Sequence, residues 1–236
     1  MSEIRQTELP GMKSLYRIGS ISAVLQLVAI LSFAVVMGVL GSKPSSAEEY
    51  FTIYQNSRLE AFLRGDILLL VMIGSYLGTS PALYVALRRH SPIYAALATV
   101  FTLIAVTGTF ATESTFSLLH LGGQYVNATG AQQTQLIAAG EAIIASDMWN
   151  GTAAYMGGIL LQGSGVMISV IMLHSKDFSK VTAWSGLLGN GFDLTQHILH
   201  IFLPSVSSVI AMFMGVFYFV WFPMLAWDFF KLSRRE

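Results

Sequence analysis

Long apolar runs separated by short polar patches organise this chain. Runs of about 20 apolar residues, the length that crosses a bilayer as a helix, occur at Ile18–Leu40, Phe62–Leu87, Ile93–Leu119, Gly151–Leu173, Val181–Leu203 and Val206–Phe230. The pattern predicts an all-α polytopic membrane helical bundle of about six transmembrane helices in a single domain over residues 1–236. Pro81 falls inside the second run and predicts a kink near Ser80–Pro81, since a membrane helix tolerates proline when neighbours satisfy the freed carbonyl. Residues 131–147 carry Leu136, Ile143 and Ile144 on one face at helical spacing, which reads as an interfacial helix or an outward extension of the fourth span.

The basic residues set an orientation. Arg5, Lys13 and Arg17 precede the first span, and Arg88 and Arg89 follow the second. Lys176 and Lys180 follow the fourth, and Lys231, Arg234 and Arg235 follow the sixth. With six spans these four segments share one side and hold ten of the 13 basic residues. The excess places both termini in the cytoplasm and the protein as a multi-pass component of the inner (plasma) membrane. Aromatics near the span ends, among them Trp221, Phe222 and Trp227, and Tyr50, Phe51 and Tyr54 in the first outer loop, read as interfacial anchors.

Composition agrees with this placement. The chain is 54% hydrophobic and only 11% charged, against about 25% charged in a soluble domain. Net charge is zero, which offers nucleic acid no positive surplus. Cysteine is absent, so disulfides, thiolate metal sites and a cysteine nucleophile are excluded. The first residues, with Glu3, Glu8, Pro10 and Lys13, do not read as a cleavable signal peptide.

Two segments carry a family resemblance. The opening LYRIGSISAVLQLVAIL resembles the first helix of a bacterial family of small polytopic membrane proteins described only as a domain of unknown function. The stretch MLHSKDFSKVTAWSGLLGNGFDL, a basic turn leading into a glycine-bearing span with Asp193 at mid-membrane, is similar to a turn and an acid of the same family. The resemblance covers most of the chain and implies a bundle of six to seven helices. It implies no activity, and the histidines of QHILH lie outside its pattern.

Polar groups inside the spans are the functional candidates, because an ionisable side chain in a bilayer costs several kcal/mol and normally faces a partner or a cavity. Six spans place Asp66, Glu113, Ser117, His120, Asp147, Asn150, Asp193, His197 and His200 in the outer half of the bundle. Asp193, His197 and His200 follow one another at intervals of four and three and share a helix face, as do Glu113, Ser117 and His120. If the third and fifth spans are neighbours, three histidines and two carboxylates meet.

Three functional readings compete with a purely structural one. The cluster binds a small polar molecule or a lipid head group. Alternatively, His120, Asp193, His197 and His200 hold zinc, iron or copper, as in a metal-dependent intramembrane hydrolase. Or the protein is a small transporter, or one subunit of a homo-oligomeric one, in which case a polar path must continue through the inner half, where Gln26 and Gln162 are nearly alone. In the structural reading Asp147 caps the fourth span, Arg64 pairs with Glu60 or Asp66, and Asp193 and His197 lock two helices together.

Overall fold

The computed structural model describes residues 11–146 and 151–235, all helix and connecting turns. Eleven helices follow in order: α1 (Met12–Leu40), α2 (Ala47–Asn56), α3 (Arg58–Arg64), α4 (Ile67–Gly74), α5 (Tyr76–Leu87), α6 (Pro92–Thr112), α7 (Thr115–Tyr125), α8 (Ala131–Ile144), α9 (Thr152–His174), α10 (Lys180–His200) and α11 (Pro204–Arg234). Five stretches are long and apolar enough to cross a membrane: Met12–Leu40, Ile67–Leu87, Pro92–Tyr125, Thr152–His174 and Pro204–Arg234. The protein is therefore a multi-pass membrane protein. The sixth expected span, α10, has 21 residues, about 32 Å of helix. It is too polar to qualify by composition, and it runs between α9 and α11, which cover its polar face.

The two ends of the bundle differ. At one end lie the start of α1, the end of α11, the α5–α6 turn and the α9–α10 turn; this is the terminal end. Ser20 Oγ donates to the Ala226 carbonyl at 2.8 Å there, and Phe178 packs edge-on against Phe229. The basic segments flanking the spans gather at this end, where Arg235 pairs with Asp177. A packed core closes this half, built from Leu83, Leu87, Ile168, Met172, Phe222 and Leu225 with their neighbours.

The other end carries a helical cap of α2, α3, α7 and α8. Ser46 and Ser57 cap α2 and α3, accepting from the backbone N–H of Glu49 and Glu60. Glu141 of α8 accepts from the Ala47 N–H at 2.7 Å, which ties α8 to the start of α2. The cap has its own core of Tyr50, Phe51, Tyr54, Leu118 and Leu136, with Ile143 and Ile144 packed against it. The apolar face foreseen on residues 131–147 is thus spent on α2 and α7. Asp147 itself lies outside the described residues.

Three expectations are modified in detail. The second span is interrupted at Ser75, about a turn and a half before Pro81, while α5 runs through the proline. The ring of Pro81 crowds the Leu77 carbonyl inside α5, so the break at Ser75 lies ahead of the site the proline strains. The third apolar stretch is broken after Thr112, where α6 ends: Glu113 is extended (φ −69°, ψ 137°), and Ser117 and His120 ride on α7. Several aromatics read as interfacial anchors are core residues instead; Trp221, Phe222, Tyr50 and Phe51 are all fully buried.

Candidate functional site

α10 brings a polar stripe into the bundle. Thr182, Ser185, Asn190, Asp193 and His197 recur at intervals of three to five residues, and these and Gln196 are buried. Two features make this tolerable. Glycines of α9 provide sockets: a Cβ at Gly158 would collide with the His197 ring, and one at Gly165 with the Asn190 amide. The second feature is a set of polar partners on α9 and α11. Tyr155 of α9 donates to the His197 carbonyl at 2.6 Å. The Asn190 amide donates to the Gly186 carbonyl at 2.7 Å.

Tyr218 of α11 is the centre of this network. Its hydroxyl lies 2.9 Å from Asp193 Oδ2, 2.9 Å from Gln162 Oε1 and 3.4 Å from Asn190 Oδ1. His197 Nδ1 lies 3.1 Å from Asp193 Oδ1 and 3.1 Å from the Asp193 carbonyl. Asp193 therefore receives a bond from each of two donors, and each donor is shared with other acceptors.

Asp193 and Tyr218 form the floor of a cavity of about 400 Å³ between α1, α4 and α11. That volume falls in the range of small-molecule sites. Its walls are apolar, with Ala29, Ile30 and Phe33 from α1, Leu69 and Met72 from α4, and Met214 from α11. Lys43, Arg64 and Asp66 line it towards the cap. These charges are paired: Lys43 with Asp66 at 2.8 Å, and Arg64 with Glu60 at 3.0 Å and Glu49 at 3.3 Å. Arg64 also donates to the Ser42 carbonyl, which closes the α1–α2 turn. Nearby in the cap, burial and the Asp66 carboxylate push the Tyr50 hydroxyl well above its ordinary pKa, so it stays protonated. One turn below Ala29 and Ile30 on α1, Gln26 is fully buried. Neither of its amide atoms has a hydrogen-bond partner among the described residues.

The expected cluster of nine residues divides. Asp193 and His197 are in contact, and Asp66 lines the same cavity as Asp193. Thr115 Oγ1 accepts from the Asp66 N–H at 2.9 Å, which brings the start of α7, next to Glu113, against α3. Ser117 and His120 face outward on α7, where His120 pairs with Gln124 at 2.9 Å. His200 ends α10 near the cap. Asp147 and Asn150 lie outside the described residues. The third and fifth spans do not form a common seam: α9 packs on both, with Gly157 against α6 and Gly158 against α10. The adjacency on which a meeting of three histidines and two carboxylates depended is thus not found among the described residues. Among the described residues, no three His, Asp or Glu side chains stand close enough to hold a metal ion.

Sequence reasoning missed Tyr218, Asn190 and Asp228. Asp228 is buried on α11, where it accepts from the Ser179 N–H at 2.9 Å and from Thr182 Oγ1 at 2.5 Å, and so caps α10 from a neighbouring helix. Asn190 carried a usable signal, because it lies one turn from Asp193 on the same face. Tyr218 carried none that set it apart from its aromatic neighbours.

No curated protein and no solved structure matches the chain. A family model does match, and over residues 18–229 the chain belongs to the family described as a domain of unknown function, DUF4386.

Proposed function

We propose that this protein binds a small, largely apolar ligand in the cavity beneath the cap, with Asp193 and Tyr218 as its polar contacts. The capped end is taken to face the extracytoplasmic side of the plasma membrane, because the basic segments gather at the opposite end. The observation that carries the reading is an apolar chamber whose floor holds a carboxylate and a phenol. A chamber of this size left without a function forfeits packing contacts, and a buried carboxylate adds a desolvation cost.

A binding or sensing role fits the packing better than transport does. The terminal half is closed by Trp221, Phe222, Leu225 and Phe229, all fully buried, and a continuous path needs an opening there. Gly186 packs directly beneath the Trp221 indole, a Cβ there lying 2.5 Å from its nitrogen, so no water file fits between α10 and α11 at that level. Hydrolysis by a bound zinc, iron or copper ion draws no support from His120, which lies on the exposed face of α7 away from the α10 histidines.

Native mass spectrometry of protein extracted from membranes tests the reading. A retained molecule is expected on the wild-type chain and not on Met72→Trp, which fills the chamber. A wild-type chain with nothing bound, and a Met72→Trp chain no more heat-resistant than it, would count against any ligand.

A further inference from the structure

The charges around the chamber select among ligands. The cap side offers two cations, Lys43 and Arg64, but three carboxylates, Asp66, Glu49 and Glu60, already neutralise them. An anionic head group would have to break those pairs. The floor differs. Asp193 is 6% exposed yet lines the chamber. The Tyr218 hydroxyl has one hydrogen and three acceptor oxygens around it. The His197 Nδ1 position also faces two oxygens of Asp193. A carboxylate accepts about four hydrogen bonds when ionised, so the floor is rich in acceptors and short of donors. An ammonium group carries three donors and a positive charge. It corrects both deficits at once.

The shape of the chamber gives the rest of the ligand. α1 and α11 touch at the terminal end, where a Cβ at Gly19 would lie 3.1 Å from the Phe229 ring. Towards the cap they part, and the chamber lies between Ala29, Ile30 and Phe33 on one side and Met214 and Gly215 on the other. A Cβ built on Gly215 meets nothing within 4 Å. Phe33 remains 44% exposed on the outer surface of the same seam. The gap is therefore on the lipid-facing flank of the bundle.

Resting on the ligand reading above, we propose that the ligand is a membrane-dissolved amphiphile with a protonated amine, which passes between α1 and α11 and sets its ammonium on Asp193. The hydrocarbon part lies against Leu69, Met72 and Met214. Gly215 keeps the gap open, and Asp193 with Tyr218 supplies the selection for positive charge.

Four probes that share one chain and differ in head group test this: dodecylamine, dodecyltrimethylammonium, dodecanol and dodecanoate. Each is titrated into the full-length protein in phosphatidylcholine nanodiscs, with thermal unfolding and native mass spectrometry as readouts. Dodecylamine is expected to bind at least tenfold more tightly than dodecanol, and dodecanoate least. Asp193→Asn should remove the preference for the amine while dodecanol binding persists. Gly215→Phe, which fills the gap, should weaken all four. Equal binding of dodecylamine and dodecanol to the wild-type chain overturns the charge selection and leaves the chamber reading standing. Tighter binding of dodecyltrimethylammonium than of dodecylamine also overturns the donor argument, since the quaternary head donates no hydrogen bond. Absence of binding by all four, in a protein whose stability Met72→Trp does not alter, overturns both readings. The wild-type comparisons decide the matter even if Asp193→Asn does not fold.

Discussion

The Tyr218 hydroxyl stands 2.9 Å from the Asp193 carboxylate and joins α11 to α10 at the floor of the chamber. These side chains are 25 residues apart in sequence and on antiparallel helices, so the bond fixes the register of one helix against the other. Gln162 brings α9 to the same hydroxyl. Three helices therefore meet at one oxygen atom.

Tyr218→Phe should keep the ring packing against Trp221 and Phe222 and lose only the hydroxyl bonds. A membrane hydrogen bond contributes roughly 0.6 kcal/mol, up to about 1.7. The expected loss is about 1 kcal/mol, measured by reversible unfolding in mixed micelles. A loss below the measurement error would show that the hydroxyl does not hold the register.

The glycines of α9 should separate sharply. Gly158→Ala and Gly165→Ala drive a methyl into His197 and Asn190, whereas a methyl at Gly163 meets nothing within 4 Å. Overpacking in a filled core costs about 1–3 kcal/mol, so the first two should destabilise by that amount. Gly163→Ala should be neutral or gain up to about 1 kcal/mol from helix propensity. Thermal unfolding of the three variants side by side is the check, and equal effects would contradict the socket arrangement.

Asp228→Ala should free the start of α10. It removes the acceptor for the Ser179 N–H and for Thr182 Oγ1 in a buried setting. The expected cost is about 2 kcal/mol, the penalty for orphaned buried donors. Limited proteolysis at the Ser175–Ser179 turn should become faster in step, and Asp228→Asn should recover part of the loss. An unchanged cleavage rate would place the cap elsewhere.

Gln26→Leu should stabilise the protein. The amide is fully buried with no partner among the described residues, and leucine of similar size removes an unsatisfied polar group. A gain of about 1 kcal/mol or more is expected in an unfolding experiment in micelles. A loss of the same size would show that the amide is bonded to water or ligand in the membrane.

The absence of cysteine makes topology simple to measure. Thr134→Cys on the exposed face of α8 should react with a membrane-impermeant maleimide in intact cells. His90→Cys, in the α5–α6 turn, should react only after lysis. The reverse pattern would invert the bundle and move the chamber to the cytoplasmic side.

The apolar runs alone determined the class of fold, because burying backbone in lipid leaves a chain few solutions besides the helix. They marked the five stretches long and apolar enough to cross, and the basic residues marked which turns share an end. Asp193 and His197 were also legible as a pair, since a spacing of four fixes their common face whatever surrounds them. The neighbours of that face were not legible. Spans of similar hydropathy leave the packing order open: here α9 stands between α6 and α10, and His120 rides on α7 in the cap, away from Asp193. Only the tertiary structure placed Asp193, Gln162 and Asn190 around the Tyr218 hydroxyl and left a chamber above it. The physical reason is that helix contacts in a bundle are decided by close packing, by which glycine admits which side chain, and that complementarity belongs to pairs of surfaces and not to any single run of residues.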